Sequence, residues 1–418
     1  MKTVGIIAEY NPFHFGHRYQ LQCVRQKLHA DYIVIAMSGD FVQRGEPALY
    51  DKYTRARMAL LAGADLVLEL PSCFAVSSAE DFASCGVALL DRLGVVDTLC
   101  FGSELGKLDA LRQAADVLVQ ENAVFSGRMQ ELLRQGNSYP RARSMALSAL
   151  FSACAANSAS AGPADWESLL ASPNNILGIE YLKAIQKRRS SMEPVTISRK
   201  GQAYQENTLP EASLYASASA IRAALSAGQF EQALSQMPFP EVTDQPVPAL
   251  FPADFSALLN MKLLELRKSG ADLTRFADVS PELADRIRGQ VLDFASFPER
   301  IATLKTRQYT YTRISRALLH ILLDVTDAQI ALGRTLDYAP YARVLGFRKE
   351  AAPLLREIKL HGGIPLITKT ADAQPLLSPE AFTLLEQDFF CSHLYQSIQQ
   401  QKGGCRPLNE YTHSLVLL

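Results

Sequence analysis

The chain has 418 residues, of which 48% are hydrophobic and 20% are charged. This length predicts roughly two or three domains, with a core large enough to fold without disulfides or structural metals. The 42 Lys and Arg against 43 Asp and Glu exclude a wholly basic, histone-like nucleic-acid binder. The seven cysteines form no C-x-x-C pair, which favours reduced thiols and a cytoplasmic protein without a thiolate zinc site.

The first hundred residues alternate between strand-like and helix-like patterns. Short runs rich in Val, Ile and Leu predict strands buried on both faces of a parallel sheet, at Val4–Ala8, Tyr32–Met37, Asp65–Leu70 and Val95–Phe101. Stretches with helical spacing lie between them, at His17–His29, Lys52–Ala62 and Glu80–Leu93. Repeated strand–helix–strand units imply right-handed crossovers, and therefore an α/β fold with a Rossmann-like, doubly wound parallel sheet.

The remaining patterns divide the chain into two predicted domains. Further helices, and a strand at Val195–Ser198, complete a first domain over residues 1–236. Five prolines between residues 237 and 252 indicate a linker. Residues 253–418 have mainly helical spacing, so we expect a C-terminal, mainly α-helical domain.

The loop after the first strand carries the sharpest motif. Ligands of a doubly wound sheet bind at the carboxyl ends of its strands, and a helix N-terminus offers N–H groups to phosphate. His14 and His17 are three residues apart, so both rings lie on one face of the first helical turn, and Gly16 permits a close approach. Two imidazoles there can donate hydrogen bonds to charge that develops at phosphorus. There are two alternatives for these histidines. In the first, one caps the helix while the other lies on the surface; in the second, both belong to a metal site, for which no third ligand is obvious.

This H-x-G-H pattern resembles the signature of the nucleotidyltransferase superfamily, whose members let a nucleophile attack the α-phosphate of ATP and expel pyrophosphate. A second element of that superfamily, S-x-S-x-x-R, matches residues 217–222. Ser217, Ser219 and Arg222 would then hold the β- and γ-phosphates at a helix start. An ordinary helix N-cap is the alternative for this second motif.

Three longer strings narrow the resemblance: GIIAEYNPFH at 5–14, MSGDFVQRGEPA at 37–48 and SPNNILGIEY at 172–181. Together they resemble the bacterial tRNA(Met) cytidine acetate ligases, and the similarity extends over the whole chain. The resemblance implies that the predicted sheet is of the nucleotidyltransferase type. Phe15 is a departure, because a small or polar residue is expected there in many relatives. Both histidines and Gly16 are nevertheless intact.

The resemblance implies a two-step reaction. Acetate attacks the α-phosphate of ATP, giving acetyl-adenylate and pyrophosphate; the exocyclic amine of the wobble cytidine in elongator tRNA(Met) then takes the acetyl group and releases AMP. Mg²⁺ is expected only as the companion of the ATP phosphates, not as a metal held by the protein. Which of Asn174 and Asn175 contacts ATP is open, and a helix N-cap is the alternative for at least one of them. The implied ATP-binding residues are Ile7, Ala8, Glu9, Tyr10, Asn11, Pro12, Phe13, His14, Phe15, Gly16, His17, Arg18, Tyr19, Gln20, Gly102, Asn174, Asn175, Arg199, Ser217, Ser219 and Arg222.

The loop after the second strand is the predicted substrate loop, since it ends at the same sheet edge as the histidines. Its polar residues are candidates for holding acetate or the tRNA end, and Asp40 joins His14 and His17 as a candidate catalytic residue. The alternative is that this loop is only a solvent-exposed connection without a role in binding. Lys52 and Arg55 could reach phosphate, but we expect them on the exposed face of the following helix. The substrate loop comprises Ser38, Gly39, Asp40, Gln43 and Arg44.

Two basic clusters, at 183–200 and 300–316, indicate RNA contacts. Lys and Arg neutralise phosphates, and the tyrosines of the second cluster can stack on splayed bases. Without the resemblance, solvated helix faces would be the better interpretation. With it, we expect the clusters to hold the anticodon arm through Lys187, Arg188, Arg189, Lys305, Arg307, Arg313 and Arg316.

Two other functions are weighed against this one. A small-molecule adenylyltransferase would join AMP to a phosphorylated cofactor precursor, but it does not require the helical tail. A non-enzymatic RNA-binding protein would not need both phosphate motifs intact. No segment reaches the about 18 uninterrupted apolar residues of a membrane span, and we expect neither a membrane nor DNA among the partners.

Overall fold

A computed structural model describes residues 1–104, 106–120, 123–155, 166–199, 209, 215–239 and 247–418. Part of the predicted linker, residues 240–246, lies outside the described residues. The strands are β1 Thr3–Ala8, β2 Tyr32–Ser38, β3 Phe41–Val42, β4 Glu46–Pro47, β5 Leu66–Leu70, β6 Thr98–Ser103, β7 Glu193–Ser198, β8 Ala342–Phe347, β9 Leu366–Ile367 and β10 Val416–Leu417.

We call residues 1–236 the first segment and residues 253–418 the second segment. The helices of the first segment are α1 Phe15–Lys27, α2 Lys52–Leu61, α3 Ser72–Ala75, α4 Ala79–Arg92, α5 Leu108–Val119, α6 Ala123–Arg134, α7 Tyr139–Ala155, α8 Trp166–Ala171, α9 Pro173–Arg188, α10 Ala218–Ser226 and α11 Phe230–Leu234. Those of the second segment are α12 Ser256–Ser269, α13 Pro281–Gly289, α14 Phe297–Leu304, α15 Tyr311–Leu323, α16 Asp327–Thr335, α17 Ala352–His361 and α18 Pro379–Gly403. None of these helices is both long and apolar enough to cross a lipid bilayer.

One mixed sheet organises the described chain, in the order β10-β8-β5-β2-β1-β6-β7 with β9 beside β8. The strands β5, β2, β1, β6 and β7 run parallel, as predicted. The strand order reverses at β1, because β2 lies on one side of it and β6 on the other. Such a switch point opens a crevice at the carboxyl ends of the strands, and this crevice positions the site described below.

Helices cover both faces of the sheet, which confirms the doubly wound architecture. Alternate residues of β1 separate the two cores, because successive side chains of a strand point to opposite faces. Val4 and Ile6 pack with α1, α2 and α10 on one face, whereas Ile7 packs with α4, α5 and α9 on the other. The two helical layers therefore meet different sides of the crevice.

The second segment is mainly helical, as predicted, but it also extends the sheet. β8 pairs antiparallel with β5, and β10 pairs parallel with β8, so the sheet is mixed rather than purely parallel. The sequence prediction missed β8, whose apolar run is interrupted by Arg343, a residue that is 2% exposed in the structure. The division at residues 237–252 stays a prediction, although the two segments share this one sheet.

A buried ionic cluster joins the two segments. Lys52 Nζ lies 2.8 Å from Glu69 Oε1 and 2.9 Å from Glu410 Oε2, and Arg343 pairs with the same two carboxylates. None of the four side chains is more than 2% exposed. The expectation that Lys52 and Arg55 lie on an exposed helix face is wrong, because distant polar groups satisfy both cations in the interior.

Candidate active site

The loop between β1 and α1 folds around its two histidines. His14 is the N-cap of α1, and its Nδ1 accepts the backbone N–H of Gly16 at 3.0 Å. His17 reaches back, so that its Nδ1 accepts the backbone N–H of His14 at 3.3 Å. The two rings stack with centroids 3.8 Å apart. The predicted shared face is confirmed, and the capping alternative also holds, because His14 caps the helix while lining the crevice.

The hydrogen bonds and the burial define the protonation of the pair. Burial, with the charges of Arg199 and Arg222, lowers the pKa of His14 to about 3. Burial and the neighbouring ring of His14 lower the pKa of His17 well below its usual value. Both rings are therefore neutral near pH 7. Since each Nδ1 accepts a backbone N–H, each ring carries its proton on Nε2, where it can donate to a phosphate oxygen.

Gly16 has no room for a side chain, and this gives a first prediction. A Cβ there would lie 2.7 Å from His14 Cε1, so Gly16→Ala must displace the imidazole. A misplaced donor lowers a reaction rate strongly, and we expect a loss of about 10²-fold in ATP-dependent activity. Gly127→Ala in α6 is the matched control, because its Cβ would meet open space, and it should leave the rate unchanged. Equal activity of the two variants would contradict the assigned geometry.

A cavity at the carboxyl ends of β1, β6 and β7 brings most of the predicted nucleotide residues together. Those that line it are Ile7, Ala8, Glu9, Tyr10, Asn11, His14, Gly16, His17, Tyr19, Gln20, Gly102, Asn174, Arg199 and Arg222. Pro12, Phe13, Phe15, Arg18, Asn175, Ser217 and Ser219 are outside this lining. Phe13 supports the loop from below, since it is fully buried with its ring centroid 4.9 Å from that of Tyr10.

The second motif begins α10. Ser217 is its N-cap, with an Oγ that accepts the N–H of Ala220 at 3.0 Å, and the residue is 1% exposed. The geometry thus favours the capping alternative for Ser217, and a phosphate contact by Ser217 or Ser219 stays a prediction. The helix start reaches the cavity through Ala216 and Ala218. Arg222, one turn further, donates to the Asn11 carbonyl at 2.7 Å and faces the same cavity.

The two asparagines occupy different environments at the start of α9. The Glu104 carboxylate accepts from the Asn174 amide at 2.6 Å and from the Asn175 backbone N–H at 3.1 Å. Asn175 is 1% exposed, and its amide donates to the Leu169 carbonyl at 3.0 Å. Asn174 lines the cavity. The arrangement therefore favours Asn174 as the residue that can contact a nucleotide and Asn175 as an internal support.

Only one residue of the predicted substrate loop, Arg44, lines the cavity. Asp40 is 3% exposed and accepts the Lys52 backbone N–H at 2.7 Å. Burial raises the pKa of Asp40 to about 7, although the charge of Lys52 acts in the opposite direction. This position suits a residue that orders the loop, and a catalytic role for Asp40 stays a prediction. Ser38, Gly39 and Gln43 also lie outside the lining residues.

Arg55 is an organising residue that the sequence prediction missed. Its fully buried guanidinium donates to the carbonyls of Glu9, Ser38 and Gly39, and thereby ties the ends of β1 and β2 together. No local pattern separates such a residue from an exposed helical cation. The cavity also contains Phe82, Leu177 and Tyr181, of which the last two belong to the string at 172–181.

The predicted RNA clusters lie in different places. Arg199 follows the carboxyl end of β7, where it lines the cavity. Lys187, Arg188 and Arg189 end α9, about 20 Å along that helix from Asn174 at 1.5 Å per residue. Arg188 pairs with Asp91 and Asp337. The described part of this run is therefore not one surface, and Lys187, Arg188 and Arg189 do not line the cavity.

The second cluster adjoins the substrate loop. Ser315 Oγ donates to the Gly45 carbonyl at 2.8 Å, and Arg316 pairs with Asp278 at 2.8 Å. The guanidinium of Arg313 lies 4.9 Å from the Tyr309 ring centroid. Lys305 and Arg307 are exposed. This cluster therefore combines two partly buried cations, Arg313 and Arg316, with two exposed ones, Lys305 and Arg307.

A doubly wound sheet with a neutral imidazole pair at its switch point defines a nucleotidyltransferase-type protein. Consistent with this, a family model described as HIGH Nucleotidyl Transferase matches residues 1–406, and the chain belongs to that family. It is 36% identical to the tRNA(Met) cytidine acetate ligase of Acetivibrio thermocellus and 38% identical to that of a Thermoanaerobacter species, covering 100% of each chain in both comparisons. The predicted resemblance to these ligases is confirmed.

A solved structure agrees over the same length. The crystal structure of Thermotoga maritima TmcAL bound with alpha-thio ATP has a TM-score of 0.88 and 27% sequence identity, with 100% of both chains covered. The apo form of that protein gives a TM-score of 0.89. The predicted fold class, with its C-terminal helical region, is thus confirmed.

Proposed function

We propose that this protein is an ATP-dependent acetate ligase that acetylates the wobble cytidine of elongator tRNA(Met). The stacked pair of His14 and His17, with its two Nε2 donors at the switch point of the sheet, carries this proposal. Full-length similarity to named tRNA(Met) cytidine acetate ligases supports the substrates. The cytoplasm is the compartment that these proposed substrates imply.

The first step joins acetate to AMP. An acetate oxygen attacks the α-phosphorus of ATP, the bond from that phosphorus to the β-phosphate bridging oxygen breaks, and pyrophosphate leaves. Negative charge grows on the phosphate oxygens during this exchange. The Nε2–H groups of His14 and His17 donate to that charge, and Arg199 and Arg222 offset it from the same cavity. Because each neutral imidazole already carries a proton on Nε2, both rings act as donors without first gaining a proton.

The second step needs RNA at the same cavity. The N4 amine of the cytidine attacks the acetyl carbonyl carbon, the bond to the AMP oxygen breaks, and N4 loses one proton. The contact of α15 with the loop after β2 supports this, because Ser315 donates to the Gly45 carbonyl and the neighbouring Arg44 lines the cavity. A tRNA arm that enters there meets residues 305–316 first. Lys187 and Arg189 would contact a more distant part of it.

Magnesium has no protein-held site in this proposal. Among the described residues, no three His, Cys, Asp or Glu side chains come together as metal ligands. The expected Mg²⁺ would arrive with the ATP phosphates, and none of the steps above depends on it.

Removing Lys305 and Arg307 together tests the RNA surface. Each phosphate contact that is lost should reduce the slope of log K against log salt by about 1, so tRNA binding weakens most at low salt. Filter binding or fluorescence anisotropy at several salt concentrations measures both quantities. Lys359→Ala in α17 removes an exposed cation outside both clusters and should change neither. An unchanged slope in the double variant would remove this surface from the proposal.

Isotope-labelled acetate tests the proposed reaction. Wild-type protein, ATP, labelled acetate and unmodified tRNA(Met) are combined, and the digested tRNA is analysed by mass spectrometry. The label should appear in N4-acetylcytidine, should require ATP, and should not be diluted by unlabelled acetyl-CoA. Pyrophosphate release with a phosphorylated cofactor precursor, but never with acetate, would show a different adenylyltransferase. Bound tRNA without any turnover would show an RNA-binding protein.

A further inference from the structure

The cavity has two chemically different sides. One side presents His14 and His17 of α1 with Arg222 of α10, which suit phosphate oxygens. The other side presents Phe82 of α4 with Leu177 of α9, and the nucleotide motifs assign no role to either residue. A phosphate side next to an apolar side suits a nucleotide, and the apolar side also offers room for a small apolar group beside the α-phosphate.

The strand β1 explains this division. Gly5 and Ile7 face α4, and the side chains of Val4 and Ile6 face α1 and α10. Glu9 follows with the same two-residue period as Ile7, which directs it toward the α4 and α9 side. The apolar side of the cavity therefore begins where β1 ends, directly across the strand from the imidazole pair.

Arg44 brings a positive charge to the apolar side. It lines the cavity, and the preceding residue, Gln43, donates its backbone N–H to Glu9 at 2.7 Å. Burial raises the pKa of Glu9, while the charge of Arg44 acts in the opposite direction. Arg44 and the apolar residues thus line one cavity, and a cation together with an apolar wall is the combination that a short fatty acid requires.

The apolar wall is held rigidly. A Cβ on Gly86 of α4 would lie 2.6 Å from Ile7, and a Cβ on Gly178 of α9 would lie 2.7 Å from Phe101. The side chains of Ile7 and Phe101 therefore pack directly against the backbones of these two helices. Phe82 is 1% exposed and Tyr181 is 4% exposed, so neither ring can swing away into solvent. A ligand longer than the wall permits has to displace packed side chains.

We propose that this side of the cavity is the acid subsite, in which Arg44 holds the carboxylate and Phe82, Leu177 and Tyr181 enclose the methyl group. The inference rests on the proposed function and adds to it the residues that limit the acid to two carbons. The carboxylate oxygen then faces the α-phosphate held by the imidazole pair. A third carbon meets the buried ring of Phe82, which is the specificity-determining residue.

The rate of pyrophosphate release with acetate and with propionate tests the subsite. One methylene in an apolar pocket changes kcat/KM by about 10- to 200-fold, so the wild-type protein should favour acetate by at least tenfold. Phe82→Ala should shift the ratio of the two acids toward propionate by at least about tenfold. Leu177→Ala, which removes a half-buried side chain, should shift it in the same direction and keeps the test open if Phe82→Ala folds poorly.

Control variants distinguish a change in the acid subsite from a general loss of folding, and they separate the subsite from the proposed ligase function. Leu89→Ala removes a fully buried side chain from the same helix but outside the cavity, and it should leave the acid ratio unchanged. Arg44→Gln should raise KM for acetate at least about tenfold, as expected for a lost charged hydrogen bond, with KM for ATP unchanged. An unchanged acid ratio in both cavity variants overturns the subsite while acetate activation stands. No acid-dependent turnover by the wild-type protein overturns the proposed function instead.

Discussion

Replacing His17 by Ala is expected to lower kcat/KM for acetate-dependent pyrophosphate release by about 10²–10³-fold, the usual effect of removing one preorganised donor. The ring is neutral and its Nδ1 is engaged by the His14 N–H, so its Nε2–H is the donor that the substitution removes. The substitution leaves the backbone of α1 intact. The loss should therefore appear in kcat, with a smaller change in KM for ATP, in an initial-rate assay that monitors pyrophosphate.

Two further variants isolate the imidazole. His14→Asn retains a good N-cap residue but lacks the Nε2 donor, so we expect a rate loss of about the same size with α1 still formed by circular dichroism. His361→Ala removes an exposed histidine at the end of α17 and should keep the wild-type rate. If His14→Asn remained fully active, the pair would serve only to cap the helix.

Glu410→Gln is expected to lower the free energy of unfolding by about 3–5 kcal/mol, because it leaves buried cations without full compensation. The carboxylate pairs with Lys52 and Arg343 in an environment where none of the three side chains is more than 2% exposed. Glutamine keeps the shape and the oxygen that accepts from the Gln396 amide at 3.0 Å. Urea denaturation at pH 7 measures the difference.

The matched control is Glu131→Gln, which breaks an exposed pair with Arg128 in α6 and should cost about 0.5 kcal/mol or less. The pH dependence gives a second readout. Burial opposes ionisation of Glu410, but Lys52 and Arg343 lower its pKa from 4.5 to about 2. Its contribution is therefore complete above about pH 4.5 and is lost as the pH falls toward 2, so the two proteins should converge there. A difference below 1 kcal/mol at pH 7 would contradict the role of the cluster.

Local patterns predicted the centre of the site well. The strand before His14, the spacing from His14 to His17 and the intervening Gly16 all lie within residues 3–17. The structure has them as expected. Resemblance added Gly102, Arg199 and Asn174, which line the same cavity. The relative positions of residues that are close in sequence depend on local geometry, so they can be predicted without the rest of the fold.

Contacts between distant segments could not be predicted in this way. Lys52 is buried because Glu410, more than 350 positions away, meets it, and Arg343 lies in a strand that joins the sheet from the second segment. Ser217 shows a different limit: a helix cap and a phosphate ligand share one sequence pattern, and the position of its Oγ favours the cap. The assignment of Asn174 and Asn175 likewise depended on where Glu104 lies.

The most direct test of the account is the acetate-dependent conversion of ATP to AMP and pyrophosphate, with and without bulk tRNA, by wild-type protein and by His17→Ala. The account predicts that AMP and pyrophosphate form only when acetate and the wild-type protein are both present, and that a cytidine of tRNA(Met) gains an acetyl group. Turnover of ATP that does not respond to acetate, or that survives the loss of the His17 imidazole, would contradict it.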